Sequence, residues 1–131
     1  MQSYNVRAVV ATLSLAFAAS AAHADIKDYS FQLVEPAVKT GPETVVAVKL
    51  VNAATGKGVP DAVIFANRLD MAPDGMAQMA SKLTPVSATE PGVYAFKANF
   101  SMEGRWQLSL AAKVQGETGT VESKLVVQAN P

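Results

Sequence analysis

Apolar and polar residues alternate most clearly in two segments towards the C-terminal end of the sequence. Every second residue from position 94 to position 100 is apolar, and Lys97 and Asn99 lie between them. The same period of two runs from position 106 to position 114, where Gln107 and Lys113 interrupt the apolar residues. A period of two is typical of a strand that buries one face. Both segments therefore predict strands of an antiparallel β-sandwich.

Turn-forming residues, mainly Gly, Pro, Asn and Asp, divide the rest of the sequence into β-like segments. The predicted strands span residues 29–35, 44–52, 62–69, 81–87, 93–100, 105–114 and 120–128. Residues 70–79, which include Pro73 and Gly75, predict a longer loop. After residue 24, no segment repeats the 3.6-residue period of a helix. The pattern predicts one all-β domain, a single immunoglobulin-like antiparallel β-sandwich of about seven strands.

The start of the sequence has the layout of a cleavable signal peptide. Arg7 precedes an apolar run over residues 8–22, and Ala22-His23-Ala24 has the small-x-small pattern that a signal peptidase recognises. The run is shorter than the roughly 20 residues that a membrane-spanning helix needs, and an uncleaved anchor is the alternative. We expect a signal peptide over residues 1–24 and an exported domain over residues 25–131 that does not insert in the membrane after cleavage.

Charge and residue usage narrow the class of function. The sequence carries 11 basic and 11 acidic residues with no basic run, which argues against binding to nucleic acid or to anionic membranes. It has no cysteine, and its only histidine, His23, lies in the predicted signal peptide. The exported domain therefore lacks thiol and imidazole groups, which removes most routes to nucleophilic catalysis and to zinc binding. We expect it not to be an enzyme.

Strand direction predicts that the methionines of the exported domain lie together. Consecutive antiparallel strands alternate in direction, so the connections after the first, third and fifth predicted strands share one end of the sandwich. Those connections hold Met71, Met76, Met79 and Met102. We call this end of the domain the methionine end. The turns at residues 56–58 and 116–119 are expected at the opposite end.

Methionine side chains offer one kind of metal chemistry. The thioether is a soft ligand that suits Cu(I), so the four methionines form a candidate copper(I) site, and Trp106 is near enough in sequence to add a cation–π contact. The alternative is that the methionines fill irregular parts of the core. For Met102, which lies in register with Phe96 and Phe100, burial is the favoured prediction. Trp106 is in phase with core residues, so we expect it to be buried as well.

Charged residues near the methionines offer fewer possibilities. Asp70 and Asp74 are too few to form a calcium site, which needs six to eight oxygen ligands, and no companion site for hydrolysis is found. We expect both to be solvated loop residues. Arg68 and Arg105 are likewise predicted to be solvated surface residues, and the alternative is contact with an anionic ligand or partner.

Three segments of the sequence resemble a known family. They are residues 56–62 (GKGVPDA), 91–94 (PGVY) and 100–108 (FSMEGRWQL), with a Met/Pro/Gly segment between the first two. Together they resemble the YtkA-like and FixH-like family of bacterial exported domains. The resemblance implies an immunoglobulin-like sandwich in the periplasm. It also implies that the protein occurs beside copper-efflux and cytochrome-oxidase assembly components. Some relatives are labelled auxin-binding. Many relatives carry a denser Met-Pro and His-Met loop, whereas residues 71–79 here contain no histidine.

These observations lead to one main functional hypothesis and two alternatives. The first is a non-enzymatic, soluble periplasmic accessory module that binds copper(I) at the methionine end. The second is a protein-interaction accessory of a membrane complex, for metal efflux or cytochrome oxidase assembly, which presents a sheet edge or the methionine end. The third is a carrier of a small aromatic or apolar acid.

Overall fold

The computed structural model describes residues 25–131, which form ten β-strands and two short 3-10 helices. The strands are β1 Tyr29–Leu33, β2 Ala37–Lys39, β3 Gly41–Asn52, β4 Lys57–Gly58, β5 Val63–Met71, β6 Met76–Ser81, β7 Thr84–Val86, β8 Val93–Phe100, β9 Gly104–Lys113 and β10 Val121–Asn130. The 3-10 helices are Ile26–Asp28 and Ala72–Asp74. The predicted signal peptide lies outside the described residues, so cleavage and export stay predictions. No helix among residues 25–131 is long and apolar enough to cross a membrane.

The strands form two sheets packed face to face. Sheet A has the order β1-β3-β8-β7, with β4 paired to β3, and sheet B has the order β2-β10-β9-β5-β6. Within these two sheets, β2 and β10 run parallel, whereas the other pairs are antiparallel. The prediction of an all-β, immunoglobulin-like sandwich is therefore confirmed.

The inner faces of both sheets supply the core, and the alternation read from the sequence identifies them correctly. β8 buries Phe96 and Phe100, and β9 buries Trp106 and Leu108. The Phe100 and Trp106 rings meet edge to face, with centroids 5.5 Å apart. Burying a large apolar side chain stabilises a fold by roughly 1.5–3 kcal/mol, and the ring contact adds about 0.5–1.5 kcal/mol. The predicted core position of Trp106 is confirmed.

Short strands β2 and β4 were not predicted, and the predicted elements between residues 70 and 87 also differ from the observed ones. The predicted loop 70–79 is a hairpin in which β5 and β6 are joined by a single 3-10 turn. The predicted strand 81–87 contains only the last residue of β6 and the short strand β7, because the chain crosses at Lys82 and buried Leu83 from sheet B to sheet A. Pro85 is accommodated in β7 because β7 is an edge strand, where a missing N–H is tolerated. Because the chain leaves sheet B at this crossing, β6 pairs only with the last residues of β5.

The start of β5 is fixed by a tyrosine on the facing sheet. The Tyr94 hydroxyl accepts a hydrogen bond from the Ala62 backbone N–H at 2.9 Å and donates one to the Val59 carbonyl at 2.8 Å. Burial raises the pKa of Tyr94, partly opposed by the bond from Ala62. The Ala62 N–H is therefore already bonded where the strand begins.

The two ends of the sandwich carry the loops that strand direction predicts. Gly41 pairs with Phe100, and Asp74 bonds to Arg105, so the connections after β1, β5 and β8 share one end. At the other end, the Tyr29 hydroxyl bonds to the Glu117 carboxylate at 3.2 Å. The turns beside which the four methionines lie in the sequence are therefore at one end of the domain, as strand direction predicts.

Candidate functional site

At the methionine end, the turn between β5 and β6 is bonded to the turn between β8 and β9. The backbone N–H and the Nε of Arg105 donate to the two carboxylate oxygens of Asp74, at 2.7 and 2.9 Å. The Arg105 Nη2 donates to the Pro73 carbonyl at 2.8 Å. The hydrogen bond from the Arg105 backbone N–H is the main cause of a lowered pKa of Asp74, and the bond from the Arg105 side chain lowers it further. Asp74 and Arg105 are both exposed, as predicted, but they pair with each other, which the sequence did not indicate.

A second ion pair holds the hairpin itself. The Arg68 Nε lies 2.6 Å from the Asp70 carboxylate, and the Arg68 Nη2 donates to the Ala77 carbonyl across the hairpin. Asp70 is only 4% exposed and also accepts a bond from the Ala72 N–H at 2.9 Å. Asp70 and Arg68 thus shape the turn. The prediction that Asp70 is solvated is wrong because its carboxylate is buried, whereas Arg68 is exposed as predicted.

The segment 102–106, which contributes to the family resemblance, builds this same contact. Gly104 has a φ of 139°, and a Cβ added there would lie 2.5 Å from an Asp74 carboxylate oxygen and 2.8 Å from the Met71 methyl carbon. Only glycine fits such a close approach without displacing its neighbours. The Trp106 Nε1 donates to the Met102 carbonyl at 3.1 Å, which closes the turn. These residues therefore have a structural role at the methionine end.

The four methionines of the candidate copper site share an end of the domain but differ in exposure. Met71 is fully buried in the core and pairs across the hairpin with Met76. Met76 and Met79 are partly buried against the core. Met102 is 39% exposed, so its predicted burial is wrong, because it lies in the turn beyond the last residue of β8. Among residues 25–131, no group of three or more His, Cys, Asp or Glu is arranged to hold a metal ion.

A second feature, which the sequence reasoning missed, lies on β5. This strand pairs with β9 from Val63 to Asp70, but pairs with β6 only from Leu69 to Met71. Residues 63–68 therefore have no strand on one side within the described part of the chain. We call this stretch the open edge of β5. Val63 is 58% exposed and Phe65 is 55% exposed.

A groove runs between the open edge and sheet A. Its volume is about 470 Å³, within the range of small-ligand sites. Its lining is mainly apolar and includes Ile64, Asn67, Pro85, Val86, Tyr94 and Phe96. Asn67 faces inwards, since it pairs with the buried Leu110, yet it is exposed because sheet A does not cover it. The sandwich is thus open along one side.

One signal in the sequence could have revealed this edge. Residues 62–66 (AVIFA) are apolar without interruption. A strand with one buried face buries only every second side chain, so such a run leaves apolar side chains on the other face. A run of this kind in an antiparallel sheet needs a further surface or a partner. The prediction missed it because residues 81–87 were taken as one strand.

Comparisons with known proteins found one matching family and some similar solved structures. The profile of the YtkA-like family matches residues 23–111. The crystal structure of the Lin-41 filamin domain aligns with 20% identity and a TM-score of 0.46, covering 82% of this chain and 94% of that one. The ZirS C-terminal domain aligns with 10% identity and a TM-score of 0.44, covering 80% and 67%. No curated protein matches the chain. The matched range contains all three segments, 56–62, 91–94 and 100–108, on which the family resemblance rests.

Proposed function

The chain belongs to the YtkA-like family, and on that premise we propose that it is a non-enzymatic accessory module that acts by binding a partner protein. The observation that carries this proposal is the open edge of β5, where Val63 and Phe65 are exposed beside a mainly apolar groove. Exposed apolar patches of this kind mark interaction sites in proteins that are otherwise well packed.

The other long strand at the border of sheet B is protected differently. β10 pairs with β2 only from Gln128 to Asn130, but it carries the exposed charges of Glu122 and Lys124 and lies against β1. Charged residues and covering elements prevent unwanted pairing at sheet edges. The open edge of β5 has one charged residue, Arg68, which is bonded within the hairpin. Of these two long strands, β5 is therefore the one whose unpaired stretch is left uncovered.

The proposal also covers where the protein acts and which kind of partner it binds. The signal-like residues 1–24 support action in the periplasm. The family resemblance supports a partner within a membrane complex for metal efflux or cytochrome oxidase assembly. The groove is less suited to the alternative ligand, a small aromatic or apolar acid, because no Lys, Arg or His lines it to bind a carboxylate.

Site-specific photo-cross-linking in the native cells tests the proposed function. p-Benzoylphenylalanine would replace Phe65, and a matched control would carry it at Val126, which is 50% exposed on β10 of the same sheet. We expect a discrete heavier product from position 65 only, with the attached partner peptide identified by mass spectrometry. No product from position 65, or the same products from both positions, would refute binding through this edge.

Copper(I) binding is the second candidate function, supported by one observation. All four methionines of residues 25–131 lie at the same end of the fold, and three of them, Met76, Met79 and Met102, are at least partly exposed. Thioethers are suitable Cu(I) ligands without any proton loss. The fully buried Met71 is the least suited of the four to reach a metal from solution.

A further inference from the structure

We infer that the partner is bound as a single extended strand, which pairs with the open edge of β5 and places alternate apolar side chains in the groove beside it. This inference rests on the proposed function and specifies the form of the partner. It follows from the backbone of β5, from the lining of the groove and from the features that bound the site at each end.

The backbone provides the first part of the site. Successive residues of a strand direct their N–H and C=O groups to alternate sides, so about half of these groups in residues 63–68 point away from β9. The described residues place no strand on that side. Backbone polar groups at an exposed edge are a template for another strand, and peptide recognition by strand addition uses such edges.

The groove provides the second part. Ile64 and Asn67 pair with the buried residues Ala112 and Leu110 of β9, so their side chains point to the inner face of sheet B. A strand added beside β5 would direct every second side chain to that same face. Those side chains would lie over Val86 and Phe96, which line the opposite wall of the groove. Apolar residues at alternate positions of the partner would therefore be buried.

The site has defined ends. At the start of β5, the Ala62 N–H is already bonded to the Tyr94 hydroxyl. At the other end, Arg68 reaches across to the Ala77 carbonyl, and β6 begins to pair at Leu69. A strand rises about 3.3 Å per residue, so a segment of about five or six residues matches the length between these two ends.

The walls of the groove favour one strand over a second copy of this domain. β7 and β8 form the wall opposite β5, so the space beside the open edge is limited by sheet A. A second sandwich that paired through its own β5 would bring its own β7 and β8 into the same space.

A displayed library of random linear peptides, selected on the purified protein, tests this inference. We expect selected peptides to be apolar at alternating positions and free of proline within the bound segment. Binding should slow amide hydrogen exchange in residues 63–68 and leave residues 121–127 unchanged. N-methylation at alternate peptide positions should weaken binding by at least about tenfold, whereas N-methylation at the intervening positions should change it much less, because only one set of amides pairs with β5.

Substitutions at the edge complete the test. Val63→Lys combined with Phe65→Lys should weaken peptide binding by at least about tenfold, and Val126→Lys should leave it within about twofold. No enrichment of peptides, protection of amides elsewhere, or equal effects of both sets of N-methyl groups would overturn strand addition. Self-association that protects residues 63–68 would assign the edge to a second copy and would also overturn it. In each of these cases, a heterologous cross-link from position 65 would leave the proposed function standing.

Discussion

Arg105 and Asp74 are 31 positions apart in the sequence, yet the backbone N–H and the Nε of Arg105 donate to the two oxygens of the same Asp74 carboxylate. This pair joins the β5–β6 turn to the β8–β9 turn. Segment 100–108, one of the three that resemble the YtkA-like family, therefore helps to hold the methionine end together. The polar groups of Arg105 and Asp74 are bonded to each other in this contact.

The Asp74 pair predicts a pH dependence of stability. Bonding to Arg105 lowers the pKa of Asp74 below its ordinary value of about 3.8. The folded state therefore binds this proton less readily than the unfolded state, and the contribution is present above the unfolded pKa and is lost as the pH falls through the folded pKa. Asp74→Asn should destabilise the protein at pH 7 more than at pH 3, as measured by urea unfolding. Asp61→Asn, at an exposed turn position, is the control, and an equal loss at both pH values for Asp74→Asn would contradict the account.

Gly104 is predicted to be much less tolerant than another glycine of positive φ. Gly104→Ala would push a Cβ into Asp74 and Met71, whereas Gly116→Ala, at a φ of 81°, would meet no atom within 4 Å. Both changes also carry a conformational cost of about 1–3 kcal/mol, because each places a side chain at a positive φ. The clash should add about 1–3 kcal/mol to the loss for Gly104→Ala. Equal unfolding free energies for the two variants would mean that the β8–β9 turn accommodates the added methyl group of Gly104→Ala without a further loss of stability.

The core assignment predicts the effect of removing aromatic side chains. Phe96→Ala and Trp106→Ala should each cost about 3–5 kcal/mol in free energy of unfolding, because both side chains are almost fully buried. The surface change Val126→Ala should cost less than about 0.5 kcal/mol. A loss below about 1 kcal/mol at both aromatic positions would mean that these side chains do not support the core.

Much of the fold could be predicted from local patterns, but the candidate surface could not. β8 and β9 each bury one face, and the period of two at positions 94–100 and 106–114 shows it directly. The pairing of Arg68 with Asp70, and of Asp74 with Arg105, depends on how the hairpin folds back, which alternation does not reveal. The open edge depends on the crossing at Leu83, where the chain leaves sheet B before it has covered β5. A buried residue between two short strands gives no local sign of a change of sheet.

The copper(I) hypothesis gives a prediction that separates thioether ligands from packing residues. A thioether has no proton to lose, so Cu(I) affinity should stay nearly constant between pH 7 and about pH 5. Replacing Met76, Met79 and Met102 together by Leu should abolish binding, at a cost to the fold below about 1.5 kcal/mol per site. Met71→Leu is the matched control, since Met71 is fully buried, and it should retain the affinity.

Titration of Cu(I) against a competing chelator checks these expectations for the native protein and both variants. Equal binding by the native and triple-Leu proteins, or no binding by either, would show that the methionines only pack. A loss with Met71→Leu alone would show that the buried methionine is a ligand.

The affinity of the cross-linked partner for edge variants tests the central claim most directly. The partner identified from position 65 would be purified and titrated against the native protein, the Val63→Lys/Phe65→Lys variant and the Val126→Lys control, after thermal unfolding has shown that all three are folded. The account predicts that the double change weakens binding by at least about tenfold, or about 1.4 kcal/mol, and that the control stays within about twofold of the native protein. Equal affinity of the partner for the native protein and the double variant would contradict binding through the open edge of β5.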